Sequence, residues 1–211
     1  MRSMTECAGW PLMSSGLTLI ELLITLSVAS ILLTIAVPSL WSMVEDNRLT
    51  AEANAFLTDL SIARGQAIAR GRRVTMRRCK PDSNGRCTQS SGAYLPGETG
   101  GDWADGWVVW ADKDNDDQHD SNEEVIRLHN SLSGSLSLSG SGSISDYIAY
   151  DARGTTSQTT GGLQMGALVL QSSGQTPGGV KDYRRKITIN AMGRVQICNP
   201  NWDSCSPWPS S

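Results

Sequence analysis

Oxygen-bearing side chains recur at short intervals between positions 112 and 123: Asp112, Asp114, Asp116, Gln118, Asp120 and Glu123. They fall on positions 1, 3, 5, 7, 9 and 12 of the loop template that wraps a calcium ion in oxygen ligands. The template's sixth position takes glycine for a sharp turn, whereas here it is Asp117, and the flanks read as strands rather than helices. Two readings are open: a calcium site built from Asp112, Asp114, Asp116, Asp120 and Glu123, or the solvated tip of a hairpin. Basic residues gather at Arg70, Arg72, Arg73, Arg77, Arg78 and Lys80, and again at Lys181, Arg184, Arg185, Lys186 and Arg194. Such clusters can neutralise phosphates, with binding that weakens steeply in salt. Arg184, Arg185, Lys186 and Arg194 are the candidates for nucleic-acid contact. The net charge of −3 exerts no global pull toward nucleic acid or anionic lipid, so local patches decide.

The cysteines offer a second chemistry. Cys79 and Cys87 form one close pair and Cys198 and Cys205 another, with Cys7 apart near the N-terminus. Two close pairs suit disulfides in an oxidising compartment. Three connectivities are formally open; pairing within each couple closes a short loop bearing turn residues, Pro81 to Gly85 in one and Asn199-Pro200-Asn201 in the other. A zinc site is the alternative, but neither couple has the short Cys-x2–4-Cys spacing and only His119 and His129 could assist. No nucleophile elbow, phosphate-binding glycine loop or His-Glu-x2-His motif occurs, which argues against an enzyme.

These residues must be positioned by the elements around them. An apolar run from Leu17 to Val37 precedes Pro38. As a helix rising about 1.5 Å per residue, it matches the roughly 30 Å hydrocarbon core of a bilayer. Glu21 sits one turn inside the run, where an unpaired charge costs about 2.5 kcal/mol or more, and Gly16 marks the border with a polar leader. Beyond Pro38, which can kink a helix without ending it, the pattern turns amphipathic. Leu49, Ala53, Phe56, Leu60, Ala63 and Ala67 step by four and three, making one stripe, and Glu45, Glu52, Asp59, Arg64 and Arg70 lie largely elsewhere. Trp41 suits a membrane interface. A helix from Leu17 to about Ala69 would be about 80 Å long and protrude from a head.

After Gly71 the chain reads as short strands: Val74 to Met76, Trp107 to Trp110 (apolar on both faces), Val125 to Leu128, Tyr147 to Tyr150, Leu163 to Leu170, Lys186 to Ile189 and Arg194 to Cys198. In the Ser/Gly-rich stretch Leu132, Leu136, Leu138 and Ile144 share even positions, so one face of an extended segment can dock; a flexible loop is the other reading. Positions 155–162 and 171–179 read as mobile loops. A helix succeeded only by strands implies α+β, with an antiparallel sheet laid on the helix.

The segment Gly16-Leu17-Thr18-Leu19-Ile20-Glu21 resembles the processing site of type IV prepilins and type II secretion pseudopilins. The resemblance implies cleavage after Gly16 by a prepilin peptidase, loss of Cys7 with the leader, and N-methylation of Leu17. It also implies that Glu21 meets the N-terminal amine of a neighbouring subunit in a filament, since a buried charge persists when paired. A secretory signal fits poorly, because it places its apolar region before the cleavage site. Trp103-Ala104-Asp105-Gly106-Trp107, the acidic turn and the closing Gly193-Arg194-Val195 are similar to the head of the GspH/FimT group of minor pilins and pseudopilins. The organisation this implies is a leader over 1–16, a membrane and filament-core helix over 17–37, its amphipathic continuation over 38–70, and a β-rich periplasmic head over 71–211. The implied protein is held in the inner membrane by a single pass, then assembled with other pilins or pseudopilins into a type IV pilus or a type II secretion pseudopilus. The implied alternative is DNA binding during uptake, as in the FimT branch, whose C-terminal Gly-Arg-x-Arg element here reads Gly193-Arg194-Val195-Gln196 and lacks the second arginine.

Overall fold

The computed structural model describes residues 18–96, 102–132, 136–172 and 183–199, without the helix side chains at 35, 37–39, 41 and 42. Gly16, Leu17 and Cys205 lie outside the described residues, as do the side chains of Pro38 and Trp41. The chain divides into two units, Met1–Trp41 and Ser42–Ser211. One helix, α1 (Leu19–Arg70), contributes to both.

In the first unit α1 begins with a side-chain N-cap. The Thr18 hydroxyl accepts from the Glu21 N–H at 3.3 Å, so Glu21 occupies the third helical position, where a carboxylate complements the positive end of the helix dipole. Leu19, Ile20, Leu22, Leu23, Ile24, Leu26, Ile31, Leu32 and Leu33 are all exposed in the single chain. The polar residues among them satisfy themselves: Thr25, Ser27, Ser30 and Thr34 donate to helix carbonyls three or four residues back, at 2.7–2.9 Å. Hydroxyls used in this way need no water. Among the described residues no helix is long and apolar enough to cross a membrane.

In the second unit the expected stripe is the core. Leu49, Ala53, Phe56, Leu60, Ala63 and Ala67 are each 0 % exposed. They pack against two four-stranded antiparallel sheets rather than a single one. The first is built from β1 (Val74–Arg78), β4 (Gly106–Trp110), β5 (Val125–Asn130) and β7 (Tyr147–Tyr150), in the order β5-β4-β1-β7. The second is built from β6 (Leu136–Gly140), β8 (Gly166–Ser172), β9 (Arg184–Ile189) and β10 (Val195–Cys198), in the order β10-β9-β8-β6. A two-stranded ribbon, β2 (Gln89–Ser90) with β3 (Ala93–Tyr94), was not expected; its strands are too short for alternation to show.

The tryptophans explain why β4 is apolar on both faces. Register pairs Met76 with Val109 and Thr75 with Trp110, so Trp107 and Val109 share the face toward α1 while Val108 and Trp110 face away. Phe56 meets Trp103 and Trp107 edge to face, at ring separations of 5.5 and 5.0 Å. The even-numbered apolar residues of the Ser/Gly stretch are buried, and Leu136 and Leu138 lie in β6.

Two expectations are corrected. Positions 155–162 are fastened rather than loose: Thr156 is 0 % exposed, and its hydroxyl donates to the Gln164 carbonyl at 2.6 Å. Of 171–179, Gln171 and Ser172 end β8 and the rest lies outside the described residues. Asp59, placed off the stripe by sequence, is buried: its carboxylate accepts from Trp107 Nε1 and from Arg127 Nε, both at 2.9 Å. Burial of an acid is tolerated there because both oxygens are hydrogen-bonded.

Candidate functional site: the acidic loop and its basic floor

The loop between β4 and β5 is no solvated tip. It folds back over the outward face of the first sheet and covers Trp110, whose ring meets His119 edge to face at 5.7 Å; His119 in turn meets Tyr94 of the ribbon at 5.4 Å. Its carboxylates divide into two sets. Asp112, Asp117 and Glu123 are buried, whereas Asp114, Asp116 and Asp120 are exposed.

The buried set holds the loop. Arg73, just before β1, places its guanidinium between Asp112 (Nε to Oδ2, 3.3 Å) and Asp117, with which Nη2 forms an ion pair. Thr75 donates to Asp112 Oδ2 at 2.8 Å, and the Asn115 N–H donates to Oδ1 at 2.7 Å. Asp117 also accepts from the Thr159 hydroxyl, and its carbonyl accepts from Arg77 Nη1 at 2.8 Å, so this loop and the 155–162 loop share one anchor. Glu123 takes the Lys113 N–H at 2.6 Å and the Asp120 N–H at 3.1 Å, closing the loop on itself. Burial pushes the Asp112 and Glu123 carboxyls above the ordinary range, against the pull of these hydrogen bonds and, for Asp112, of Arg73. Burial holds His119 below its usual value.

For a cation, the structure brings together three of the five predicted ligands. Oxygens of Asp112, Asp114 and Asp116 lie within 4.8 Å of one another, and Asp120 and Glu123 are not in that group. The missing glycine at the sixth position is no obstacle, since Asp117 itself adopts φ +61° and Asn115 φ +64°, a region Asp and Asn tolerate. However, the guanidinium of Arg73 already supplies positive charge to Asp112.

Several of the basic residues near β1 are used internally, while Arg72 and Lys80 are exposed. Arg70 pairs with Glu124 at 2.6 Å, Arg73 with the loop, and Arg78, itself buried, with Asp146 at 2.7 Å. The nucleic-acid candidates are divided by burial. Arg185 is buried and paired with Asp46 of α1, and Lys186 is buried, which leaves Arg184 and Arg194 exposed. The four-residue patch expected from sequence does not exist as one exposed surface: strand alternation turns Arg185 away from Arg184, and Lys186, on the same side as Arg184, is itself buried.

Arg194 comes directly after the tight part of the β9–β10 turn, where Gly193 has φ +72°. A Cβ on Gly193 would meet the Gly154 carbonyl at 2.3 Å and the Tyr150 ring at 2.9 Å. Arg64 of α1 bonds the same corner, donating to the Gly154 carbonyl at 2.9 Å and to the Met192 carbonyl at 3.0 Å. Cys79 and Cys87 are bonded, with Cα atoms 5.4 Å apart. Cys198 is also disulfide-bonded, and its expected partner Cys205 lies outside the described residues.

A single N-terminal helix, its second half laid across antiparallel sheets and its first half apolar on every side, defines a pilin-like protein. The family model described as type II transport protein GspH matches residues 52–193, and the chain belongs to that family. The crystal structure of the type IV minor pilin FimU of Pseudomonas aeruginosa shares the fold, with a TM-score of 0.50 at 15 % identity over 77 % of this chain and 96 % of that one. The minor pseudopilin EpsH of the Vibrio cholerae type 2 secretion system aligns over 72 % of this chain and 98 % of its own, at 13 % identity and a TM-score of 0.44. Comparison with curated proteins finds no match.

Proposed function

We propose that the chain is a minor pilin or pseudopilin subunit, trimmed after Gly16 by a prepilin peptidase, N-methylated at Leu17, held in the inner membrane with its head in the periplasm, and then assembled into a filament. The observation that carries this reading is the division of labour along α1. From Leu49 to Ala67 its apolar stripe is consumed by the core of the second unit, while from Leu19 to Leu33 the described apolar side chains are exposed and the hydroxyls among them are satisfied within the helix. A helix apolar all round requires lipid or other helices as its surroundings. The sequence run 17–37 has the length of about 30 Å that a bilayer requires. In the filament Glu21 pairs with a neighbour's N-terminal amine and sets axial register.

Two measurements test this. Mass spectrometry of the chain recovered from cells with a prepilin peptidase should give a methylated Leu17 N-terminus, and recovery of the full-length chain alone would refute the processing step. Glu21→Ala should abolish incorporation into the filament while leaving membrane insertion intact; unchanged incorporation would refute the register role. The DNA-uptake alternative draws less support, since Arg185 and Lys186 are buried and the second arginine of the C-terminal element is absent. A mobility-shift assay at low salt is expected to give no retardation. The family match favours a secretion machine and the FimU likeness is one of fold, so neighbouring genes are the direct discriminator between the two machines.

A further inference from the structure

In the second unit Arg70, Arg73, Arg78, Arg127, Arg153 and Arg185 each meet a carboxylate. Arg64 does not. Its Nε donates to the Gly154 carbonyl and its Nη2 to the Met192 carbonyl, and it forms no ion pair with any described residue. Two carbonyls satisfy donors but leave the charge of a half-buried guanidinium without a counter-ion. The acid of this corner, Asp151, is engaged inside its own turn, where it accepts from the Arg153 and Thr155 N–H groups and the Thr155 hydroxyl and pairs with the Arg153 guanidinium. Arg72, just past the end of α1, and Arg194, next to Gly193, are exposed and likewise form no ion pair with described residues. The corner is therefore positive with no free acid of its own.

We propose that Arg64 is the centre of a docking site for another polypeptide, where it takes an Asp or Glu side chain flanked by apolar residues. Nε and Nη2 fill one edge of the planar guanidinium. The outer edge, Nη1 with the second hydrogen of Nη2, offers two parallel N–H groups that have no partner among the described residues and are open to solvent. Such a pair matches the two oxygens of a carboxylate. The fork is preorganised, because carbonyls of two different turns fix its plane and both turns bring bare backbone against it: a Cβ on Gly154 would lie 3.1 Å from Nε, and one on Gly193 3.3 Å. The same point beside Gly154 is 2.7 Å from Ile68 Cδ1, so Ile68 stands next to the guanidinium. Ile68, one turn along α1, and Met192, on the β9–β10 turn, are 52 % and 63 % exposed. Apolar side chains from two elements ask for apolar groups before and after the carboxylate, which an internal acidic residue supplies and a chain terminus does not. The uncompensated arginines favour an acidic partner over a basic one. The site belongs to the folded second unit and stands whether or not the chain enters a filament.

The test uses the full chain in detergent micelles, with heteronuclear NMR of the backbone amides of Ile68, Gly154, Met192 and Gly193 and of the Arg64 Nε–H. The probe is the peptide acetyl-Ser-Leu-Glu-Leu-Ser-amide, with acetyl-Ser-Leu-Gln-Leu-Ser-amide and acetyl-Ser-Ser-Glu-Ser-Ser-amide as controls. The probe should shift these signals saturably, with half-saturation at roughly millimolar peptide, and each control should need about tenfold more. Arg64→Lys keeps the charge and loses the fork, and should weaken binding about tenfold. Because Arg64 also ties two turns together, Ile68→Ser and Met192→Ser, both at exposed side chains, form a second arm; each should weaken binding about threefold with the amide pattern elsewhere unchanged. No saturable shift, equal binding of the Gln peptide, or undiminished binding to Arg64→Lys or to both serine variants would overturn the proposal. So would a twelve-nucleotide single-stranded DNA that moves the same signals at lower concentration than the peptide, which would assign the corner to nucleic acid. The same shifts on raising the chain concentration alone would overturn it in favour of a second copy of this chain.

Discussion

Asp59→Ala isolates the most heavily used polar contact between α1 and the first sheet. Asp59 is 2 % exposed and accepts from Trp107 Nε1 and Arg127 Nε, both at 2.9 Å. Removing the carboxylate strands the Trp107 N–H, 0 % exposed, with no acceptor, at a cost of about 1–3 kcal/mol. The Arg127 side chain is half exposed and will rehydrate, so the lost ion pair adds no more than about 1 kcal/mol. The total expected is about 2–3 kcal/mol, or a fall in Tm of roughly 5–10 °C for a protein of this size. Urea unfolding monitored by tryptophan fluorescence and circular dichroism would measure it. Asp59→Asn keeps an oxygen toward Trp107 and loses only the charge, and should cost about 1 kcal/mol or less. Trp107→Phe removes the donor, so a double-mutant cycle with Asp59→Asn should return a coupling well below that with Asp59→Ala. If Asn proves as damaging as Ala, charge and not the indole acceptor is what matters at this position, and the reasoning fails.

Three further outcomes are expected. Gly193→Ala should destabilise the chain by about 3 kcal/mol, since alanine at φ +72° costs about 1–2 kcal/mol and its methyl would lie 2.3 Å from a backbone oxygen; a loss under about 1 kcal/mol in the same unfolding assay would show that the corner can shift. Arg73→Met leaves Asp112 and Asp117 buried without their guanidinium, a change costing about 3–5 kcal/mol for a buried pair broken on one side. Limited proteolysis should then cut the variant between positions 111 and 123, and a loop as resistant as the wild type would refute the anchoring role. Submillimolar calcium should leave Tm within about 1 °C, because Asp112 and Glu123 are engaged inside the loop and Asp114 and Asp116 alone are too few oxygens for tight binding. A rise of several degrees would restore the calcium reading.

The parts of the fold legible in sequence were those with a local period. The stripe from Leu49 to Ala67 and the alternating leucines of β6 declared their burial because regular helices and strands repeat every 3.6 and 2 residues. The run Trp107 to Trp110 has no such period; it is apolar on both faces, and the strand it forms is buried on both. Polar pairing had no such signature. Asp59 stands three residues after Phe56 and four before Ala63, on the flank of the stripe, so its place could have been suspected; its partners Trp107 and Arg127 are far along the chain. The same holds for Arg73. Read as one of a basic cluster it suggests phosphate, and only the fold-back of a loop some forty residues later makes it the counter-ion of two aspartates.

That loop also bears on how such a protein can diversify. Its inward residues, Asp112, Asp117 and Glu123, set the path of the backbone, while Lys113, Asp114, Asp116, Gln118, Asp120, Ser121 and Asn122 point to solvent. Substitutions at the outward positions can change what the head displays without disturbing the scaffold beneath, so new surface chemistry is one mutational step away from a folded parent. Related chains that keep the three inward carboxylates and a basic residue at position 73 should therefore tolerate wide drift between them, and drift at the inward positions should be met by loss of the loop's shape.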